Sequence, residues 1–270
     1  MENPEPPAPS SVPSDPGRHA IDPADLVVGL GRGLAVIESF DDEHARMTCA
    51  EVAERTGLPR TSARRHLLSL CHYGYADTDG KRFWLSPRVL RLGQSYLDSA
   101  RLPRLVQPFI QRLSMQCGET ANVSVLDGHE VVYVARSNSP RVVSIGFLAG
   151  ARVPAHVVAP GPVLLAQQSE ETLAAWLDRH EFAAFTASTP VDRAGFAEQV
   201  RLARRRGCGI SVGQLDGGLS GVAVPLKDRR GECRAALGMT LQTAAWSEAR
   251  IVEVLLPPLL ETAATLRALL

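Results

Sequence analysis

Residues 48–85 carry the pattern that most constrains this chain, two short helices joined by a tight turn and followed by a hairpin. Thr48 is a good helix N-cap, and Glu51 stands three residues later, where its side chain completes a capping box. The sequence Gly57-Leu58-Pro59 ends this helix, which is the first of the pair. Apolar side chains then recur at helical spacing, at Ala63, Leu67 and Leu70. The arrangement predicts a helix-turn-helix.

The second helix and the hairpin present residue types that contact DNA. At about 100° per residue, the face opposite the apolar stripe carries Thr61 and Arg65. Asp79-Gly80 supplies the positive φ of a tight hairpin, so residues 75–85 predict a wing. The predicted DNA-contacting residues on the helix and at the wing tip are Arg60, Thr61, Ser62, Arg64, Arg65, Lys81 and Arg82.

The charge of the chain is balanced overall but unevenly distributed. Its 29 Lys and Arg residues cancel its 29 Asp and Glu residues at pH 7. Between residues 57 and 104, however, the chain has nine basic residues and only three acidic ones. A locally basic block within a neutral chain is the electrostatic pattern expected of a surface that binds phosphates.

The N-terminal third divides into a tail, a small domain and a connecting helix. Residues 1–25 are rich in Pro, Ser and Glu and predict a disordered tail. Residues 26–86 hold the predicted winged helix-turn-helix domain, whose first helix is expected from Leu30. Apolar residues from Pro87 onward have helical spacing, so residues 87–101 are predicted to be a linker helix.

Residues 102–270 alternate strand and helix patterns. Hairpins are expected around Asp127-Gly128 and residues 228–231, with another strand over residues 141–148. Helices are expected to begin at residues 162, 169 and 192, and a last helix, capped by Ser247, must be kinked by Pro257-Pro258. These elements predict an antiparallel sheet with helices on its faces, an α+β fold.

Cysteine usage and hydropathy favour a cytoplasmic protein. The five cysteines are scattered singly and have neither a Cys-x-x-Cys pair nor a histidine cluster beside them, so neither a metal nor another cofactor is predicted. The N-terminus lacks the apolar region of a signal peptide, and no later apolar run is long enough to cross a bilayer. We therefore expect no membrane association.

Three local sequences have rival interpretations. The glycines of residues 29–33 resemble a phosphate loop, but Leu34 stands where the dinucleotide pattern requires glycine. Residues 204–206, three arginines ending a helix, are expected to be a solvated face. Ser220 lies in a partial nucleophile-elbow sequence in which Val222 replaces the second glycine. A hydrolase using Ser220 is therefore an alternative function, and an effector-independent DNA-binding protein is another.

Several motifs together resemble the IclR family of bacterial transcription regulators over nearly the whole chain. The similar segments, in order, are LGRGLAVI at 30–37, GLPRTS at 57–62, CGETA at 117–121 and RVPAH at 152–156. The sequence YVARS at 133–137, followed by RVPA, is similar to the PcaR and PobR subgroup, which controls catabolism of protocatechuate and 4-hydroxybenzoate.

The resemblance implies a GAF-like effector-binding domain over residues 102–270, operator DNA as a partner, and dimers or tetramers of the chain. Transferred by position, the effector pocket comprises Val142, Ile145, Ala159, Pro160, Ser211, Gly221, Gly238 and Thr240. His156 is a further candidate for the pocket, and a satisfied structural histidine is the alternative interpretation. The family presents backbone N–H groups of a helix start to a carboxylate, but Pro160 and Pro162 have none, leaving Gly161, Val163 and Leu164 as donors. With small residues at Gly221 and Gly238, the expected effector is an aromatic monoacid.

Overall fold

The computed structural model describes residues 21–137 and 147–270. The chain divides into two compact units between Tyr96 and Leu97. Most of the predicted tail lies outside the described residues, and Pro23–Asp25, at its end, form a 3-10 turn.

The first unit is a small helical domain with a three-stranded antiparallel sheet of order β1-β3-β2. Its helices are α1 (Val28–Glu38), α2 (Cys49–Thr56), α3 (Arg60–His72) and α4 (Leu90–Ser99), the last following a 3-10 turn at Pro87–Val89. Its strands are β1 (Met47–Thr48), β2 (Ala76–Thr78) and β3 (Arg82–Leu85). The division between the units falls within α4.

Local sequence signals set the helix ends of this unit. Thr48 and Glu51 form the predicted capping box at the start of α2, and Gly57 ends that helix at φ 66°. Gly80 turns the β2–β3 hairpin at φ 92°. A small apolar core joins the helices to the sheet through the buried residues Val36, Met47, Val52, Ala53, Ala63, Leu67 and Phe83. The predicted helix-turn-helix and wing are confirmed.

The second unit is built on a six-stranded sheet of order β6-β5-β4-β9-β8-β7, in which all neighbouring strands are antiparallel. Its strands are β4 (Thr120–Asp127), β5 (Glu130–Arg136), β6 (Arg152–Pro154), β7 (Gly209–Val212), β8 (Leu219–Lys227) and β9 (Cys233–Gln242). Its helices are α5 (Arg101–Cys117), α6 (Pro160–Leu165), α7 (Glu170–Arg179), α8 (Arg193–Arg206), α9 (Glu248–Arg250) and α10 (Leu256–Arg267).

Each face of this sheet is covered by helices. Ile110 of α5 and Leu259 of α10 pack with Leu237 in one apolar cluster. Leu165 of α6 and Phe196 of α8 belong to a second apolar cluster, formed with the strand side chains that point to the opposite face of the sheet. Because successive strand residues point to opposite faces, one sheet supports both clusters. The predicted antiparallel sheet between helices is confirmed.

Several element predictions require correction. Residues 141–146 of one predicted strand lie outside the described residues, and Phe147 and Leu148 are not in a strand. Strands β1, β6 and β7 were not predicted, because two to four residues are too few to show an alternating pattern. Helix α1 begins at Val28 rather than Leu30, and α6 begins at Pro160 rather than at residue 162.

The C-terminal helix shows how its prolines are accommodated. Ser247 caps α9 as predicted, and a π-helical turn at Ile251–Leu255 then leads into α10. Pro257 and Pro258 stand in the first turn of α10, where a missing N–H costs least. The prediction was a kink at the proline pair, whereas the structure has a π turn immediately before the pair.

Candidate DNA-binding and ligand-binding sites

Helix α3 presents the predicted DNA-contacting residues to solvent. Ala63 and Leu67 are buried against the core of the first unit, which fixes the rotation of the helix. Arg60, Thr61, Arg64 and Arg65 are exposed, and Ser62 is half-buried. The helix therefore offers arginine and hydroxyl side chains, the types that hydrogen-bond base edges and phosphates.

The wing turn is held by its own polar groups. The Thr78 hydroxyl donates to the Arg82 carbonyl over 2.7 Å. Asp79 Oδ1 accepts the backbone N–H groups of Lys81 and Arg82 at 2.9 and 2.7 Å. These backbone hydrogen bonds hold the pKa of Asp79 below its ordinary value. The exposed side chains of Lys81 and Arg82 form no ion pair among the described residues.

A cavity in the second unit lies between the sheet and the start of α6. It encloses about 380 Å³ of space free of atoms, including its part open to solvent. Its lining residues are Asn122, Tyr133, Phe147, Val157, Val158, Pro160, Ser211, Leu215, Leu219, Ser220, Gly221, Val222, Met239 and Thr240.

The structure brings only part of the predicted effector set to this cavity. Pro160, Ser211, Gly221 and Thr240 line it. Val142 and Ile145 lie outside the described residues. The remaining three, His156, Ala159 and Gly238, are not among the lining residues.

His156 belongs to a hydrogen-bonded chain of histidines away from the cavity. Its Nε2 lies 2.9 Å from the Ala183 carbonyl oxygen, and its Nδ1 lies 2.7 Å from His180 Nε2. His180 Nδ1 is in turn 3.1 Å from His129 Nδ1, and the His180 ring stacks on Trp176. Burial, with the neighbouring histidines, lowers the pKa of His180 to about 3. The chain therefore holds neutral imidazoles, and His156 is a satisfied buried side chain.

The two predicted glycines do not create space for a ring. A Cβ on Gly238 would lie 2.9 Å from the Val222 carbonyl oxygen and 3.1 Å from Asn122 Oδ1. A Cβ on Gly221 would lie 3.2 Å from Ser211 Oγ and 3.5 Å from the Cβ of Ala159. Both glycines thus allow close packing of strands and side chains, and Ala159 is one of the residues that pack against Gly221.

The start of α6 offers fewer backbone donors than expected. The N–H of Gly161 donates to the Val158 carbonyl over 3.1 Å, so it is already used. Gly161 is required there for another reason, since an added Cβ would meet the Ala155 carbonyl oxygen at 1.7 Å. The six residues of α6 are therefore a packing element under the cavity wall.

Two aromatic residues that the sequence reasoning missed form part of the cavity wall. The rings of Tyr133 and Phe147 stack with their centroids 4.7 Å apart. Tyr133 is only 3% exposed, and burial raises the pKa of its phenol, which keeps it neutral. Tyr133 belongs to the YVARS sequence at 133–137, but no local signal shows which face of its strand meets a ligand.

The polar groups of the cavity are neutral. Asn122 Nδ2 donates to Thr240 Oγ1 over 3.1 Å, while the buried Asn122 Oδ1 has no hydrogen-bond partner among the described residues. Exchanging the amide oxygen and nitrogen would instead leave a donor unpaired, so this side chain can offer either role. None of the described lining residues carries a charge.

Ser220 lacks the surroundings of a nucleophile elbow. It lies within β8 rather than at a strand-to-helix turn, and its Oγ is 2.9 Å from Thr243 Oγ1.

The arginines of residues 204–206 are all exposed, and each forms an ion pair at the surface. Arg204 donates to the Ala166 and Gln168 carbonyls and pairs with Glu170, so it ties α8 to the end of α6. Arg205 pairs with Glu198 and Arg206 with Glu248.

Among residues 21–137 and 147–270, no group of three or more His, Cys, Asp or Glu side chains is arranged to hold a metal ion. None of the helices in that part of the chain has the length and apolar character needed to span a membrane.

Comparison with known proteins matches both units. The IclR helix-turn-helix domain model matches residues 29–80, and the model of the bacterial transcriptional regulator IclR C-terminal matches residues 94–268. The p-hydroxybenzoate hydroxylase transcriptional activator of Acinetobacter baylyi is 39% identical over 250 residues, covering 91% of this chain and 92% of that protein.

Solved structures of transcriptional regulators are also similar to this chain. A transcriptional regulator from Rhodococcus sp. RHA1 is 37% identical with a TM-score of 0.75, covering 90% of this chain and 97% of that one. A double mutant of the PobR inducer-binding domain from Acinetobacter, in complex with 3-hydroxybenzoic acid, is 34% identical with a TM-score of 0.60 and covers 63% of this chain and all of that one. The chain belongs to the IclR family of bacterial transcriptional regulators.

Proposed function

We propose that this chain binds operator DNA through α3 and the wing, and that an aromatic monoacid in the cavity of the second unit controls that binding. Residues 26–86 then form the DNA-binding domain, 87–101 the linker, and 102–270 the GAF-like effector domain. The observation that carries the proposal is the cavity, because it combines an aromatic wall with neutral hydrogen-bonding groups.

The DNA-binding part rests on exposure and charge. Arg60, Arg64 and Arg65 are exposed on α3, and Lys81 and Arg82 are exposed beside the wing turn. In winged helix-turn-helix proteins the second helix enters the major groove. Arginines on that helix contact base edges, whereas cations at a wing contact phosphates without reading sequence.

The chemical class of the effector is inferred from the aromatic wall of the cavity and from its hydrogen-bonding side chains. The stacked Tyr133 and Phe147 offer an apolar face to a ring. Ser211, Thr240 and the Asn122 amide supply hydrogen bonds but no charge. A dicarboxylate would lose more hydration than these neutral groups return. A single carboxylate on a hydroxylated ring would lose less hydration. One Acinetobacter relative is named for p-hydroxybenzoate hydroxylase, and a double mutant of another is in complex with 3-hydroxybenzoic acid.

We further propose that the chain forms homodimers through its first unit. Helix α1 exposes Leu30 and Leu34 one turn apart, and α4 exposes Leu90 and Tyr96. Large apolar side chains exposed in a small domain mark interaction surfaces. A second copy of this chain is the occupant, because helix-turn-helix regulators present paired recognition helices to two half-sites. A measurement of the mass of the assembly in solution tests this proposal, and its alternative outcome is a tetramer formed through the effector domains.

The hydrolase alternative receives no support from the geometry. Ser220 is 4% exposed, and its hydrogen-bond partner is a threonine hydroxyl rather than a base. We propose that the chain has no enzymatic activity and acts in the cytoplasm.

Calorimetry combined with a gel shift tests the effector. 4-Hydroxybenzoate and protocatechuate should bind more tightly than β-ketoadipate, and 4-hydroxybenzamide should bind nearly as well as 4-hydroxybenzoate because no cavity group among the described residues pairs with the charge. The bound ligands should change the mobility or affinity of the protein on DNA from upstream of its own gene.

Thr240→Val removes one donor with little change in volume, and the exposed Thr265→Val is its matched control. Thr240→Val should weaken 4-hydroxybenzoate binding about 2- to 10-fold, as expected for one lost hydrogen bond. Tighter binding of β-ketoadipate than of 4-hydroxybenzoate would contradict the effector assignment.

A further inference from the structure

We propose that Arg46 is a third DNA-contacting cation of the wing, and that Trp84 is the residue that positions it. This inference rests on the proposed DNA-binding function. Arg46 lies far from the wing turn in sequence and immediately precedes β1, the short strand that pairs with β3.

Strand pairing places the two side chains opposite each other. Met47 pairs with Phe83 and Thr48 with Arg82, so the next position in register brings Arg46 opposite Trp84. Met47 and Phe83 are buried in the core. Because side chains alternate along a strand, Arg46 and Trp84 share the outer face of the sheet.

The guanidinium of Arg46 sits over the indole. Its central carbon is 4.1 Å from the centroid of the Trp84 ring. This distance is well within the range of cation–π contacts, for which tryptophan is the best partner. A stacked guanidinium keeps the N–H groups at its edge available, and its restricted motion lowers the entropy lost when it contacts a phosphate.

Two acidic residues, Asp77 and Asp79, lie in this part of the wing sheet, but neither forms an ion pair with Arg46. Arg46 is exposed, and within the described ranges it forms no ion pair. Arg82 reaches toward it, since Arg82 Nη1 lies 3.5 Å from the Arg46 carbonyl oxygen. Asp79 Oδ1 accepts two backbone N–H groups of the turn, and the charge of its carboxylate attracts Arg46 without forming an ion pair. Arg46 and Arg82 thus place two guanidinium groups on one face of the wing sheet.

The experiment measures binding to a duplex from upstream of the chain's own gene, and to an unrelated duplex of equal length, across a salt series. Arg46→Ala should weaken binding to both duplexes alike and reduce the slope of log K against log salt by about 0.9 per protomer. The deficit should accordingly shrink about 3.5-fold per protomer between 50 and 200 mM salt. Arg112→Ala, which removes an exposed arginine of α5, is the matched control and should leave the slope unchanged.

The positioning role of Trp84 is tested by substituting it alone and together with Arg46. Trp84→Leu should weaken DNA binding about two- to fivefold, the range given by an exposed cation–π contact, whereas Trp84→Phe should retain most of the affinity. In the Arg46→Ala background, Trp84→Leu should have no further effect on DNA affinity, which separates positioning from general destabilisation of the wing.

Equal slopes for Arg46→Ala and wild type would overturn the assignment of Arg46, and additive effects of the two substitutions would overturn the role of Trp84. If Arg65→Ala abolishes binding while Arg46→Ala does not change it, only this inference fails. If neither substitution changes DNA binding, the proposed function fails with it.

Discussion

Gly161→Ala tests whether the start of α6 holds the cavity wall in place. The added Cβ would lie 1.7 Å from the Ala155 carbonyl oxygen and 2.6 Å from its carbonyl carbon, whereas real Cβ contacts essentially never fall under 3.0 Å. Both partners are backbone atoms, so no side-chain rotation relieves the overlap. The two segments must separate by roughly 1.3 Å or more, which is a severe case of overpacking.

The cost should reach the upper end of the range for overpacked sites, about 3 kcal/mol of unfolding free energy. For a unit of this size, that corresponds to a fall in Tm of roughly 6–12 °C. Val157, Val158 and Pro160, which line the cavity, lie between or beside the separating segments. We therefore also expect 4-hydroxybenzoate to lose most of its stabilising effect on Tm.

Thermal unfolding of the full chain, with and without 4-hydroxybenzoate, measures both effects. Gly93→Ala is the matched control, because Gly93 lies in the interior of α4 with open space around it. That substitution should raise stability by about 0.4–1 kcal/mol and leave ligand binding unchanged. A Tm within 2 °C of wild type for Gly161→Ala, with ligand binding intact, would refute the reasoning from close approach.

Three further predictions concern charge. Arg65→Ala, and to a lesser degree Arg64→Ala, should weaken operator binding by about 1–3 kcal/mol per lost base contact without altering the fold, and unchanged gel shifts at matched salt would contradict the role of α3. Neutralising both Lys81 and Arg82 should lower the salt slope by about two units per protomer, and an unchanged slope would remove the wing from the interface. Because the pKa of His180 is lowered to about 3 from 6.5, its contribution to stability is complete above pH 6.5 and is lost as the pH falls toward 3. Lowering the pH from 7 to 5 should therefore cost about 2 kcal/mol, and chemical denaturation of His180→Phe should show a correspondingly flatter pH profile.

The local elements could be predicted because their determinants are close together in sequence. The capping box joins Thr48 to Glu51, and Gly118 and Gly207 end α5 and α8 in left-handed conformations that only glycine adopts readily. The motifs of the family can likewise be recognised in the sequence, and they give the order of the domains. Such signals require no knowledge of which strands pair.

The cavity was decided by the tertiary structure. Asn122 and Thr240 are 118 residues apart in sequence, yet their side chains share a hydrogen bond because β4 pairs with β9. Tyr133 stacks on Phe147, which lies 14 residues further along the chain, and no periodicity of the sequence reveals that contact.

The sequence left open whether His156 lines the pocket or is a structural histidine, and its contacts with His180 and the Ala183 carbonyl place it in the second role. Likewise Arg46 joins the wing only through β1, a strand too short to predict. The sequence by itself determined the helix caps, the turns and the family, because those depend on neighbouring residues. Which side chains meet to bind a ligand or DNA depended on strand pairing between distant segments, which only the folded chain specifies.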